Sequence, residues 1–563
     1  MNIYGAMNTA KWALLSAQTA IEVTGQNVAN VNNPDFNKQN AILQAQFPVN
    51  QGNHFIGTGV TVASVTRNFD QFLYNQQLTS NFNLNNYQAR ETIMNRIDTV
   101  MNETSGSGIN NAMSSFFQSY YNLATNPSGA TERNDVVEKA KSLSAKVSFV
   151  AGQVQQTRRD TDLKITGAVP IINNLTSQIA SLNKTIHETE SNGAVANDYR
   201  DRREGLIKQV ASFMDIGYAE ANNGEVSVYM KTGRPLVTGE NNFTLSTKQN
   251  PSDPSTSSVF WADSAGNKVN ITRDISAGQM GAWTTLRDQD LIKVQNQLDT
   301  LTASIIRDVN RIHSGSFGLD GSTGNNFFNG LVPGGRASDL NSGTGTLQPG
   351  SVLNPDNVNL DHYRITFGAG GTYSVSNTDK GTASGTYSFT AGAPLTFFQD
   401  RGISIAITGA PNVGDNFDIS AAFNSAFTLA INPTVQNDLN KVAAGSTTRW
   451  GDGIAGEAIG SLQYGKTIGG AWNAAGAASG TYTYTDFFGA TVGGVGSTTQ
   501  AATSGRKMAE AVSNQLDNLR QQSSGVALDE EMINLVKYQQ AYGAAAKTIT
   551  TIDEMIQTLL NIK

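Results

Sequence analysis

The sequence contains no cysteine. Disulfides, cysteine-ligated zinc, iron–sulfur clusters and thiol catalysis are excluded on that ground alone. Charge is also scarce. Asp, Glu, Lys and Arg supply 15% of the 563 residues, well under the usual quarter of a soluble chain. The outside must therefore be made polar by Asn, Gln, Ser and Thr, a composition suited to dense packing against neighbours. The 39 basic and 46 acidic side chains leave a net charge of −7, with no basic stretch to follow a phosphate backbone. No apolar run approaches the roughly 20 residues that span a bilayer. Lys11 followed by Trp12, Ala13, Leu14 and Leu15 begins like a signal peptide. Ser16, Gln18 and Thr19 end that run too early. The expectation is a cytoplasmic protein, or one exported without a cleaved signal. Of the four histidines, His54, His187, His313 and His362, no two stand at ligand spacing, so neither a metal site nor a cofactor is expected.

What is present is helical periodicity at both ends. Ile3, Met7, Ala10, Leu14, Ala17, Ile21, Thr24, Val28 and Val31 are separated by alternating steps of four and three. Leu535, Tyr538, Tyr542, Ala545, Ile549, Ile552, Ile556 and Leu559 repeat the pattern. Such steps hold one face of a helix toward a partner, as in a coiled-coil seam. Asn30, Asn32, Asn33 and Pro34 form a stop after the first run. Asp529, Glu530 and Glu531 open the second, where the helix dipole favours carboxylates. The seams are weak, with Ala, Thr and Tyr where a stable dimer would hold Leu or Ile. They suit either amphipathic helices packed on a core or helices that bundle with copies of themselves. The candidate assembly residues are Ile3, Met7, Leu14, Ile21, Val28, Leu535, Tyr538, Tyr542, Ile549, Ile552, Ile556 and Leu559. Segments 1–45 and 510–563 are expected to be loosely ordered in a free monomer, because so weak a seam does not offset the entropy of ordering them.

Between the ends, helical spacing recurs at Tyr87 to Met101, Val136 to Val154, Ile172 to Ile186 and Leu291 to Ile312. Gly167 and Pro170 are expected to break the long stretch between the second and third. Val226, Val228 and Met230 alternate as a strand does, as do Val269 and Ile271. From 331 to 445 Gly, Ser, Thr and Asn dominate. There Tyr363, Ile365 and Phe367, then Ile403, Ile405 and Ile407, then Phe417 and Ile419 alternate. Residues 451–505 are rich in Gly, Ala and Thr, and helical signal returns near Lys507 to Leu519. The expected fold is multidomain α+β. Segments 1–45 and 510–563 form a coiled-coil-like terminal pair. Segments 46–330 and 446–509 form a helix-rich middle domain with some β. Segment 331–445 is an inserted all-β outer domain.

Few motifs carry chemistry. Gly460 to Thr467 satisfies G-x-x-x-x-G-K-T, but a phosphate loop needs a strand before it and a helix after it. Ile454 to Ile459 reads as a weak helix, and Ile468-Gly469-Gly470 is a poor helix start. Asp198 to Glu204 is a mixed charge run, read as a solvated helix face laced with i, i+3 and i, i+4 pairs. Asp320 to Gly324 resembles a calcium loop without its closing Glu, and reads as a turn. No catalytic residue is assigned.

Gln26-Asn27-Val28-Ala29-Asn30-Val31-Asn32-Asn33-Pro34-Asp35-Phe36 resembles the N-terminal signature of flagellar rod, hook and hook-associated proteins. Ser524 to Glu531, with Tyr538 to Tyr542, resembles the closing segment of these axial proteins. Asn197 to Arg203 and Leu286 to Leu291 resemble the hook-associated subfamily that forms the first hook–filament junction. The resemblance implies a non-enzymatic structural subunit, exported through the flagellar type III apparatus with an export chaperone and located extracellularly. It implies a homo-oligomeric ring at the hook tip, contacting hook protein and a second junction protein, with no nucleic acid or membrane partner. Terminal helices would line the central tube and the β domain would project outward. The alternatives are another axial subunit, an adhesin built on the β domain, or an enzyme using the Gly460 loop.

Overall fold

The computed structural model describes residues 3–51, 54–102, 108–250, 253–446, 450–468 and 481–561. Among these residues, helices of eight or more residues are α1 (Ile3–Ala29), α2 (Gln71–Met101), α3 (Ile109–Thr125), α4 (Ala130–Ser191) and α5 (Asn197–Phe213). They continue with α6 (Gly278–Thr285), α7 (Leu291–Ser314), α8 (Ile454–Ser461), α9 (Tyr484–Ser524) and α10 (Leu528–Asn561). The helical periodicities of the sequence fall within these helices, except that Val31, the last residue of the first run, lies in the turn beyond α1.

Helix α4 is the beam of the molecule. Its 62 residues extend roughly 90 Å at 1.5 Å per residue. The expected break at Gly167 and Pro170 does not occur. A proline inside a helix forfeits one backbone hydrogen bond. Pro170 is exposed, so that loss falls on the side open to water, while Ile165, Ala168, Val169 and Ile172 seat the other face. Two apolar cores share this beam. Val136, Val147 and Val154 join α3, α7, α8 and the start of α9 in a helical core around Phe116, Phe117 and Phe327. Ile165, Ile172 and Ile179 join α5, α6 and two small antiparallel sheets in a mixed core. Val226, Val228 and Met230 face this second core, as their alternation requires. Where the cores meet, the buried residues of α4 are polar: Asp162 accepts from Arg287 at 2.6 Å and from the Ser257 amide at 2.8 Å. Arg287 lies in a π-helical turn, Leu286–Asp290, between α6 and α7.

A third core lies under a five-stranded antiparallel sheet. Its strands run in the order Gly334–Ala337, Asn416–Ser420, Tyr363–Gly368, Thr372–Asn377, Thr382–Ser388. Ile365, Phe367, Phe417 and Ile419 point inward as the alternation predicts, and a short helical turn adds Phe397 and Phe398. Beyond Ala422 the chain returns to the helical core, where Leu429, Ile431, Val435, Val442 and Ala444 pack.

Helix α9 starts at Tyr484, well before the helical signal near Lys507. Glycine and threonine disfavour a helix there, but α9 lies along α2, and tertiary packing supplies what propensity lacks. Gly505 shows how close the two helices are: a Cβ there would stand 2.5 Å from the Tyr87 ring. The helix crosses residues 509 and 510 without interruption.

Candidate assembly interface

The two seam-bearing segments find each other. Helices α1 and α10 pack together along their length. They are antiparallel, because Asn27 at the end of α1 meets Glu531 in the first turn of α10. Mostly small residues are buried in the pair: Ala10, Ala17, Ala20 and Thr24 on α1, Ala545 with the larger Ile552 on α10. Ile3, Leu14, Ile21, Val28, Leu535, Tyr538, Ile549 and Ile556 are half-buried, and Met7, Tyr542 and Leu559 remain exposed. Leu528, Met532, Ile533 and Val536 add exposed apolar side chains to α10. A hairpin of Gln39–Ala45 with Val60–Arg67 lies on α1, where the Ser16 hydroxyl donates to the Val60 carbonyl at 3.0 Å. Its Ile42, Leu43, Phe47 and Phe55 face outward.

The Asn-rich signature does more than stop a helix. Asn27 donates to Glu531 and to the Gln39 carbonyl, both at 2.9 Å, and accepts from the Gln39 amide at 3.0 Å. Lys38 bridges Glu530 at 3.1 Å and Glu531 at 2.9 Å. Burial pulls the Lys38 pKa down, but the hydrogen bonds it donates to Glu531 and Glu530 outweigh it and the net shift is upward. Arg520 at the end of α9 donates to the Pro34 and Phe36 carbonyls. The Lys38 amide donates to the Ser524 carbonyl at 2.9 Å.

The charge run on α5 is only partly the solvated face its composition implies: Asp198 and Arg202 are exposed, but Asp201, Arg203 and Glu204 are buried. Asp198, Asp201 and Glu204 recur every three residues, so they share one face, and that face meets the signature. Asp198 accepts from Gln26 at 2.9 Å and Gln39 at 2.7 Å. Asp201 accepts from the Asn37 amide at 3.0 Å, its side chain at 2.7 Å and Arg67 at 2.7 Å. Glu204 pairs with Arg67, and its carbonyl accepts from the Tyr74 hydroxyl at 2.6 Å. Asp201, Glu204 and Arg67 are nearly sealed from water. Burial raises Asp201 from its ordinary value and pushes Glu204 up to about 7, despite Arg67. The other face of α5 uses Arg200 and Arg203, which hold Glu190, Glu220 and Asn183 within the mixed core.

Known proteins resemble this chain over its whole length. Flagellar hook-associated protein 1 of Escherichia coli is 27% identical, with 99% of each sequence covered. That of Bacillus subtilis is 24% identical over 99% of this chain and 97% of its own. A family model described as the flagellar hook-associated protein FlgK helical domain matches residues 94–328. The chain is similar to flagellar hook-associated protein 1 along its whole length. A second model, the flagellar basal body rod FlgEFG protein C-terminal, matches residues 520–562. That span starts at Arg520 and contains all of α10, so it holds one side of the joint just described. The flagellar hook junction protein FlgK from Burkholderia pseudomallei shares the fold, with a TM-score of 0.68 at 18% identity. It covers 79% of this chain and 99% of its own.

Among the described residues, the phosphate-loop pattern has no phosphate-loop geometry. Gly460 lies inside α8, where a Cβ would stand 2.8 Å from the Tyr121 ring. Leu462–Tyr464 is a 3-10 turn, and Ile468 bridges Tyr482. Lys466 is exposed, and the Thr467 carbonyl accepts from Arg307 at 3.2 Å. His313 is a packed histidine: Nδ1 contacts the Asn325 carbonyl at 2.6 Å and Nε2 accepts from the Ala443 amide at 2.9 Å. Asp320 forms a turn closed by Ser322 and Lys441. Among the described residues, no group of His, Asp and Glu is arranged to hold a metal.

Sequence reasoning missed the joint on α5. The three-residue spacing of Asp198, Asp201 and Glu204 was visible. Their partners, about 130 to 170 positions away in sequence, were not.

Proposed function

We propose that the protein is a structural subunit of the bacterial flagellum that joins hook to filament, with no catalytic role. The full-length similarity to hook-associated protein 1 of two distant bacteria carries this reading. The fold supports it: chain ends that lie together as one helix pair free the middle of the chain to extend away from them. The pair presents Met7, Tyr542, Leu559, Met532 and Val536 to the outside. These are side chains that neighbouring subunits would cover.

In this reading, copies of the chain form a ring at the hook tip, with α1 and α10 toward the central tube. Hook protein lies below and a second junction protein above. The seam residues from Ile3 to Leu559 form the subunit contacts, completed by neighbours. The sheet of residues 334–420 belongs to an outward-facing domain within 331–445. The chain reaches the tip unfolded through the type III apparatus, kept soluble by an export chaperone. A strain lacking the gene should make hooks without filaments and release flagellin to the medium. Restoring the chain should restore filaments, with immunogold label confined to the hook–filament boundary. Label spread along the hook or the filament would overturn the assignment.

A further inference from the structure

The water-facing side of a helix ordinarily carries charge. Two long helices of the body, the part of the molecule built on the three cores, depart from that rule. On α4 the outward row from Ala145 to Asn174 advances in steps of three and four. Its one charge, Asp160, is paired with Arg96 at 2.6 Å. Phe149, Leu163 and Ile171 stand exposed along the row, with Gly152 and Gly167 between them. On α9 the row from Ala490 to Leu519 advances in the same steps, is exposed throughout and carries no charge. Gly494, Ala501, Met508 and Val512 lie on it. Each row is about 45 Å long at 1.5 Å per residue.

The two rows look away from each other. Helices α2 and α7 each pack on both α4 and α9, while α4 and α9 do not pack along each other. The four make a bundle with α4 and α9 at opposite corners, turning Val154 and Val495 to one common core. Both corner helices run antiparallel to α2. Gln77 and Glu91 of α2 meet Asp517 and Arg506 of α9, in reverse order. Tyr74 of α2 joins the mixed core with the later residues of α4, and Met101 joins the helical core with the earlier ones. Helices α4 and α9 are therefore parallel to each other. Their relative height is fixed through α2 as well, because Arg96 reaches Asp160 and Asp98 lies beside Gly496. Counting on from that level, Leu163 stands at the height of Ala501, and Ile171 near the height of Met508.

We propose that the α4 row of one copy docks against the α9 row of the next copy, and that these faces are the body-to-body contact of the ring. The proposal rests on the ring reading given above and names its contact surface. Rotating a copy about an axis parallel to the helices preserves height and direction. Such a rotation sets parallel helices of equal height against each other, which is how α4 and α9 are placed. The contact joins unlike faces, so it repeats around a ring without either face matching itself. Large and small side chains alternate across it: Leu163 meets Ala501, and Met508 meets Gly167 beside Ile171. That matching lets two helices approach closely. Neither row brings an unpaired charge into the contact, so no charge is left uncompensated when water leaves.

The absence of cysteine allows a clean test. Leu163→Cys and Ala501→Cys, both at exposed positions, are placed together in the full-length chain and expressed in a strain lacking the gene. Isolated hook–filament preparations are treated with a bis-maleimide whose reach matches the ~8–10 Å between packed helix axes. The doubly substituted chain should run as a ladder of dimers and larger multimers, and either single substitution should stay monomeric. Gly167→Cys with Met508→Cys should give the same ladder. Monomer alone from both pairs, in preparations that carry filaments, would overturn the contact. Dimers from Leu163→Cys alone would also overturn it, since they report a face that meets itself. A product joining Leu163→Cys to a different protein would do the same. Leu163→Asp with Met508→Asp should leave the melting of the purified monomer unchanged, because both side chains are exposed, and should leave hooks bare in cells. Undiminished filaments in that variant count against the proposal. Immunogold location is scored separately. Label at the hook–filament boundary without a ladder refutes this inference alone, whereas label elsewhere overturns the junction reading and this contact with it.

Discussion

Arg67 is the most exposed to test of the single residues. It is the cation that faces both buried carboxyls of the joint. Removing one member of a buried pair leaves the other charge uncompensated, at a cost of about 3–5 kcal/mol. Arg67→Ala should therefore lower the opening free energy of the joint by about that amount near pH 8. Faster hydrogen exchange at the Asn37 amide is the readout. The penalty should shrink on acidification, since Glu204 can then take a proton. The intact joint has its own pH dependence. Burial raises Glu204 from 4.5 to about 7, so the closed state binds its proton more tightly than the open one. This contribution is full below pH 4.5 and is lost as pH rises toward 7. Asn37 protection should fall over that window, and Glu204→Gln should flatten the slope. His313 gives the opposite sign. Burial lowers it from 6.5 to about 4, so its contribution to the helical core is present above pH 6.5 and lost as pH falls toward 4. Exchange at the Ala443 amide, which donates to His313, should quicken in acid as Asn37 slows.

At the scale of elements, the terminal pair differs from what local pattern suggests, whereas α8 is helical where the sequence reads as a weak helix. The weak seam implies loosely ordered ends, yet Ile552 is already buried between α10 and α1 within one chain. A carboxylate there would cost several kcal/mol. Ile552→Asp should thus open the helix pair in the monomer itself. Hydrogen exchange should show protection lost across Ile3–Ala29 and Leu528–Asn561, while the body, which shares no core with them, unfolds at an unchanged temperature. Intact protection in both helices would place the seam elsewhere. In α8 the phosphate-loop pattern gives way to helix packing. Lys466→Ala should leave stability and filament assembly unaltered, because the side chain is exposed. Gly460→Ala should destabilise the helical core by about 1–3 kcal/mol, the usual cost of overpacking, because the new methyl meets Tyr121. Urea unfolding of the two variants separates them. A nucleotide-binding loop would reverse the order in function.

At the scale of the whole molecule, the question is what can be removed. Gly334 and Ser420 are register partners in adjacent strands, so the chain enters and leaves the sheet side by side. Excising 335–419 and closing the gap with a short Gly/Ser linker should leave the helical core folded and the thermal transition of the remainder near its original place. Excising 331–445 should not. That cut also removes Leu429, Ile431, Val435 and Val442 from the core around Phe327, and large apolar deletions of this kind cost about 2–5 kcal/mol each. Circular dichroism melts of the two deletions decide the matter.

What the sequence alone determined is what depends on neighbours in sequence. Three-and-four spacing marked both terminal helices, α7 and the two halves of α4, because the helix repeat is a local property. Alternation found the strands at Tyr363 and Asn416 for the same reason. Composition and the Asn-rich signature were enough to suggest the family. Tertiary structure decided whatever depends on a distant partner. Pro170 could stay helical only because a continuous core seats the opposite face of α4. Glycine- and threonine-rich residues 484–505 became helix only against α2 and the helical core. Asp198, Asp201 and Glu204 are, as local sequence, an ordinary solvated charge run. They became a joint, with Asp201 and Glu204 buried, because folding placed Asn37, Gln39 and Arg67 against them. Burial and pairing are set by those distant contacts, and no local window contains them.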